Sequence, residues 1–180
     1  DYQNDGADEF FYDDIVASLY SRKINFSFVK EIANLINIPL TVGGGVKTIR
    51  DIDKLFNVGA DKISMNSVLF SNPNLLYQAS MKFGSQSILV QVQAKKINDI
   101  YYVFYNSGRE ISKIDLNEWI KKTIDLGVGE IAIISIDKDG MTNGIDFDLI
   151  NKAKLYNVSF LYGGGVTNSI DINFLKKFNF

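Results

Sequence analysis

The chain has 180 residues, 19 basic against 21 acidic for a formal net charge of −2, and neither histidine nor cysteine. Those two absences exclude a disulfide framework, a thiol nucleophile, a Cys/His zinc site and an imidazole base, so proton transfer falls to Asp, Glu, Lys or Tyr. With 46% apolar and 22% charged residues the chain can bury a sizeable core, and its charge gives no footprint for nucleic acid or an anionic membrane.

No apolar run approaches the roughly 18 residues of a membrane span, and no basic-then-apolar leader opens the chain. The expectation is a soluble, cytoplasmic protein. The first residue is Asp1 and not Met, as if the chain were cut from something longer.

In chain order, residues 9–15 read as a strand. Residues 26–36 carry Phe26, Val29, Ile32, Ala33 and Ile36 at helical three- and four-residue steps. A strand over 38–42, a helix over 51–58 and a strand over 61–66 follow. Pro73 introduces a helix over 74–83. Then come a strand over 86–93, a short excursion containing a strand over 100–105, and a helix over 115–126. Strand 130–136, helix 146–155, strand 157–162 and helix 169–178 complete the series. Near-continuous apolar stretches such as Ile88-Leu89-Val90 and Ile131-Ala132-Ile133-Ile134 fit parallel strands covered on both faces. The strict β-then-α order predicts right-handed crossovers and a parallel sheet.

An internal repeat narrows the architecture. Gly6-Ala7-Asp8, Gly59-Ala60-Asp61 and Gly127-Val128-Gly129 each end a helix and open a strand. Val42-Gly43-Gly44-Gly45-Val46 returns 120 positions later as Tyr162-Gly163-Gly164-Gly165-Val166, and Asp14 and Asp137 close the first strand of each half. Two similar βαβα halves predict a (β/α)8 TIM barrel more naturally than an open sheet. A typical barrel has roughly 250 residues. The expectation is therefore one partial barrel domain over residues 1–180, truncated at both ends, with about six of eight βα units.

Both triple-glycine loops follow strands, where barrels place their working face. They read either as tight turns or as phosphate sites, with backbone N–H groups and a helix N-terminus facing an anion. Two matched loops suit a ligand with a phosphate at each end. Asp13, Asp14, Asp137, Asp139 and Gly140 cluster at the same rim, as acid/base groups or as loop caps. Strand parity sets Asp13 on the opposite side from Asp14. Asn66 and Ser67 complete the first loop's site or form an Asx-type turn. Glu9, Lys62 and Glu130 share one repeat position at strand starts and should ring the bottom mouth, as a salt-bridged stability feature or as a gate. Nothing in the pattern asks for a metal or an organic cofactor.

The ordered stretches Phe10-Phe11-Tyr12-Asp13-Asp14-Ile15, Pro39-Leu40-Thr41-Val42-Gly43-Gly44-Gly45, Gly59-Ala60-Asp61-Lys62-Ile63-Ser64-Met65-Asn66-Ser67, Phe83-Gly84-Ser85-Gln86, Gly129-Glu130-Ile131 and Ser135-Ile136-Asp137-Lys138-Asp139-Gly140 resemble the cyclase subunit of imidazole glycerol phosphate synthase. The resemblance implies a (β/α)8 barrel that takes ammonia from a glutaminase subunit docked at its N-terminal face. It implies use of that ammonia to cleave and cyclise a bis-phosphorylated ribulosyl-formimino aminoimidazole carboxamide nucleotide in histidine synthesis. By resemblance, Gly44, Gly45, Asn66 and Ser67 would hold one phosphate, and Asp139, Gly140, Gly163 and Gly164 the other. Glu9, Lys62 and Glu130 would be the ammonia gate. Independently of the resemblance, their place at strand ends makes Asp14 and Asp139 candidates for catalysis or direct ligand contact.

The departures are specific. Of the family's two catalytic aspartates, one belongs to a first strand that this sequence does not contain. The other, in Ile-Asp-Ala-Lys, is Gln93 in Val92-Gln93-Ala94-Lys95, and an amide cannot exchange a proton near neutral pH. Gln91 shares its parity and should make the barrel axis unusually polar. The family's Asp-Gly-Thr becomes Asp139-Gly140-Met141, and a serine becomes Tyr162, which should narrow the second phosphate site. These changes keep a second resemblance open, to the branch of this family that delivers ammonia for sugar amidation in surface-polysaccharide synthesis. A paralogous isomerase of the same pathway fits less well, because the Gly-Ala-Asp-Lys and Phe-Gly-Ser-Gln stretches follow the cyclase.

Overall fold

The structure is a computed structural model that describes residues 6–15, 22 and 24–177. Its strands are β1 (Phe10–Asp13), β2 (Leu40–Gly43), β3 (Lys62–Met65), β4 (Ile88–Ile97), β5 (Ile100–Tyr105), β6 (Glu110–Asp115), β7 (Glu130–Ser135) and β8 (Ser159–Gly163). Its helices are α1 (Phe26–Leu35), α2 (Ile49–Asn57), α3 (Val68–Ser71), α4 (Asn74–Phe83), α5 (Leu116–Asp125), α6 (Phe147–Ala153) and α7 (Ser169–Lys176).

Six strands run parallel in the order β1-β2-β3-β4-β7-β8. Among the described residues, α1 lies between β1 and β2, α2 between β2 and β3, and α6 between β7 and β8; α3 and α4 follow β3, the hairpin β5–β6 precedes α5 after β4, and α7 follows β8. This is a truncated (β/α)8 barrel, six strands of the closed eight. β2 is buried at all four positions, as the parallel-sheet reading requires.

Strand parity divides the side chains into two layers. One face packs Val42, Ile63, Met65, Val90, Ile131 and Ile133 against Ile52, Leu55, Leu76 and Ile120 of the surrounding helices, all in one core cluster. The opposite face points to the barrel axis, where Glu9, Lys62 and Glu130 meet. They come from β3, β7 and the residue before β1, which are alternate strands, and side chains from alternate strands make one interior layer of such a barrel.

Three local differences from the sequence reading have simple causes. α2 starts two residues earlier than Asp51, because Thr48 and Asp51 form a reciprocal capping box. α3 is one turn long, too short to show a period. β6 carries Glu110, Ser112, Lys113 and Asp115 among its six residues; as an outer strand with Lys113 at φ 61 it has little apolar pattern to read. Phe178, at the end of the last expected helix, lies outside the described residues.

Candidate active site

The first glycine loop opens on a cavity of about 390 Å³ at the C-terminal ends of β1, β2, β3 and β4. Gly44 and Gly45 form one wall, Asn66 and Ser67 a second, and Asp13 and Gln91 also line it. Gly44 has φ +86, and a Cβ there would sit 2.3 Å from the Asp14 carbonyl oxygen. Only glycine lets the loop lie against the end of β1.

The tip of the β5–β6 hairpin closes the cavity. Asn106 and Ser107 line it, both with positive φ, at 51° and 58°. The Asn106 amide donates to Ser67 Oγ at 2.9 Å, and Ser67 Oγ donates to Asn66 Oδ1 at 3.1 Å. Asn66 Nδ2 donates to the Gln91 carbonyl at 2.8 Å. A stack of aromatic rings fixes the hairpin in place: Trp119 lies flat on Phe70 at 4.3 Å, and Phe70 stacks on Tyr105 at 4.9 Å.

Asp13 is the one carboxylic acid among the residues lining this cavity. Gln91 Nε2 donates to its Oδ2 at 3.4 Å. Burial raises the Asp13 carboxyl above its ordinary value; the Gln91 hydrogen bond pulls it down, and the neighbouring Asp14 adds to the rise. The Gln93 side-chain oxygen is buried without a hydrogen-bond partner.

The second glycine loop repeats the packing of the first. A Cβ on Gly164 would meet the Ser135 carbonyl oxygen at 2.7 Å and the Asp139 nitrogen at 3.4 Å. Gly164 and Asp139 are therefore neighbours, just as Gly44 and Asp14 are. Asp139 and Gly140 are exposed, and a Cβ on Gly163 would touch Ile134.

Tyr162 does not narrow this second loop's site. It pairs with Ile133 on the helix-facing parity, and its hydroxyl accepts the Asp146 amide at 2.8 Å. The Asp146 carboxylate accepts the Tyr101 hydroxyl at 2.7 Å and Ser135 Oγ at 2.9 Å. The expectation failed because parity sends Tyr162 outward, to the start of α6. Burial pushes its hydroxyl up to about 12, and burial followed by the Asp146 hydrogen bond holds the Tyr101 hydroxyl well above the usual phenol range.

At the opposite, N-terminal mouth, Lys62 Nζ donates to Glu9 Oε2 at 2.9 Å and to Glu130 Oε2 at 2.8 Å. Thr41 Oγ1 donates to the other Glu9 oxygen, and Ser159 Oγ to the other Glu130 oxygen. Burial works against the Lys62 charge, but the hydrogen bonds to Glu130 and Glu9 outweigh it and raise its pKa.

Residues 1–180 match the model of a family described as "Histidine biosynthesis protein". The chain belongs to this histidine biosynthesis protein family. It is 43% identical over 165 residues to the imidazole glycerol phosphate synthase subunit HisF of Natranaerobius thermophilus, 91% of this chain and 66% of that one. It is 42% identical to the subunit of the same name from Campylobacter concisus over 164 residues, 91% and 65% of the two chains. It is 40% identical to that of Sulfolobus acidocaldarius over 165 residues, 91% and 66%. The chain thus spans just under two thirds of the length of these relatives.

As a member of the histidine biosynthesis family, the chain groups its candidate residues in three places. Gly44, Gly45, Asn66 and Ser67 share the cavity; Asp139 and Gly164 adjoin at the second loop; Glu9, Lys62 and Glu130 meet at the bottom. Asp14 packs its backbone under Gly44 and is not among the residues lining the cavity. Asp13 is the residue that sequence reasoning undervalued. The signal was available: Asp13 has the same strand parity as Glu9, which the repeat had already set on the axis. Asn106 and Ser107 were not legible, because a hairpin tip carries no periodic pattern.

Among the described residues, no helix is long and apolar enough to cross a membrane.

Proposed function

We propose that the protein is a cyclase subunit of imidazole glycerol phosphate synthase, acting in the cytoplasm. It takes ammonia from a glutaminase partner at the N-terminal face of the barrel. It converts the bis-phosphorylated ribulosyl-formimino aminoimidazole carboxamide nucleotide into imidazole glycerol phosphate and aminoimidazole carboxamide ribonucleotide. The observation that carries this reading is the cavity in which the first glycine loop, Asn66 and Ser67 converge, in a chain that matches the family from end to end.

In this reading the amides around Gly44 and Gly45, with Asn66 and Ser67, bind one phosphate; oriented backbone donors at a strand end favour an anion. Asp139, Gly140, Gly163 and Gly164 bind the other. The Glu9–Lys62–Glu130 cluster gates ammonia at the bottom mouth, and Asp14 and Asp139 support the chemistry. The Gln93 amide orients the ligand and exchanges no proton.

A second reading is an ammonia-delivering partner for sugar amidation, favoured by Gln93 alone, since a glutamine stands where the family's cyclases need a carboxylate. The test is to mix the intact protein with a glutaminase subunit and supply glutamine and the nucleotide. The cyclase reading expects a stable complex and carboxamide ribonucleotide release. A complex that hydrolyses glutamine and leaves the nucleotide intact supports the second reading and contradicts the first.

A further inference from the structure

Asp13 stands at the C-terminal end of β1 on the same strand face as Glu9. Its side chain lies over Gly43: a Cβ there would come within 3.1 Å of Asp13 Oδ1 and 3.0 Å of the Ser64 Cβ. The bare glycine makes the room that the carboxyl occupies. Gln91, from β4, holds the other oxygen by its amide. The Gln91 backbone carbonyl accepts Asn66 Nδ2 at 2.8 Å, which ties this stretch of β4 to the wall of the first loop's cavity. A carboxyl is thus clamped at the side of a polar cavity, between the axial interior below and the phosphate-binding loops above. The charged and titratable groups around it are Asp14 and Tyr12 beside it and Lys47 on the cavity lining.

We propose that Asp13 is the catalytic acid–base of this cavity. The inference rests on the reading of the protein as an ammonia-using cyclase. The ammonia nitrogen attacks a ketone carbon of the ligand with its lone pair. The Asp13 carboxylate accepts a proton from that nitrogen, and the resulting acid gives it to the former carbonyl oxygen. Two such transfers turn the ketone and ammonia into an imine and one water, and leave Asp13 ionised as it began. A half-buried carboxyl with raised affinity for its proton suits such a cycle better than a fully solvated one. Asp13 supplies the proton-exchanging group that Gln93 cannot.

The test uses the intact protein and its Asp13→Asn and Asp13→Glu variants, with ammonium chloride as nitrogen source and the nucleotide as substrate. Positioned acid–base catalysis contributes about 10²–10⁴-fold. Asp13→Asn is expected to lower kcat at least ~100-fold and abolish the acid limb of the pH profile, while Asp13→Glu restores part of the rate. The side-chain carboxyl of Asp13, followed by ¹³C NMR and assigned by its loss in Asp13→Asn, is expected to titrate at the midpoint of that limb. Near-wild-type turnover with an unchanged acid limb in Asp13→Asn overturns the proposal. If the wild-type protein does not turn over the nucleotide, the cyclase reading fails on its own, and the titration still decides on Asp13. A midpoint above the ordinary carboxylate range that moves on adding inorganic phosphate keeps it as the cavity's proton-exchanging group; an ordinary midpoint that ignores phosphate removes it.

Discussion

At the scale of single residues, two of the charged groups on the axis, Asp13 and Lys62, respond to pH in opposite ways. Burial raises the Asp13 carboxyl, so the folded state favours its protonated form and bears a cost when it ionises. Asp13→Asn is therefore expected to be more stable than the wild type to urea at pH 7, with the advantage fading as the pH falls through the raised value. Gln91→Leu removes the donor that favours the carboxylate, and should shift the acid limb of kcat/KM to higher pH. Lys62 is raised above the usual lysine value by Glu130 and Glu9 against its burial. Its stabilisation is complete below the ordinary lysine range and is lost as the pH rises through the raised value. The side chains of Lys62, Glu9 and Glu130 are 24%, 23% and 14% exposed, between surface and core, so Lys62→Met should cost about 1–2 kcal/mol in denaturant titration.

At the scale of elements, glycine positions separate backbone conformation from packing. Gly140 has φ +70 and open space where a Cβ would go; Gly140→Ala should cost only about 1–2 kcal/mol for the left-handed conformation. Gly44→Ala adds a Cβ 2.3 Å from the Asp14 carbonyl oxygen, so the loop must move. It is expected to destabilise the fold more than Gly140→Ala does and to weaken inorganic phosphate binding at least tenfold by calorimetry. Unchanged phosphate affinity in Gly44→Ala would dissociate that loop from the site. The repeat made these loops visible in the sequence, because the same triple glycine follows a strand in each half, at Gly43-Gly44-Gly45 and Gly163-Gly164-Gly165. The hairpin that closes the cavity was half visible. Ile100–Tyr105 has strand composition, whereas Glu110–Asp115 is polar, outermost and bulged against Tyr102 and Phe104, and reaches its strand conformation through its partner's hydrogen bonds.

For the molecule as a whole, alternation of strand and helix specified the barrel, because parallel strands must be apolar on the helix side and joined by crossovers. Which residues meet on the axis depends on parity, and parity was legible wherever one axial residue was known: Glu9 fixes Asp13, and Glu130 fixes Leu89 and Gln91 through the β4–β7 register. Parity also sends Tyr162 outward, because it pairs with the helix-facing Ile133; likeness to the family alone pointed it at the second loop. The fold carries a polar cavity at one end and an ion cluster at the other, joined by an interior that includes Thr41, Ser64 and Gln91. In the proposed reading, that arrangement would let a small polar reactant enter below and be consumed above. The most direct test is release of aminoimidazole carboxamide ribonucleotide from the bis-phosphorylated nucleotide by the intact protein with ammonium chloride alone, which needs no partner. Turnover is expected to depend on ammonium and to fall at least ~100-fold in Asp13→Asn. No release from a folded wild-type protein at saturating ammonium and nucleotide would contradict the cyclase reading.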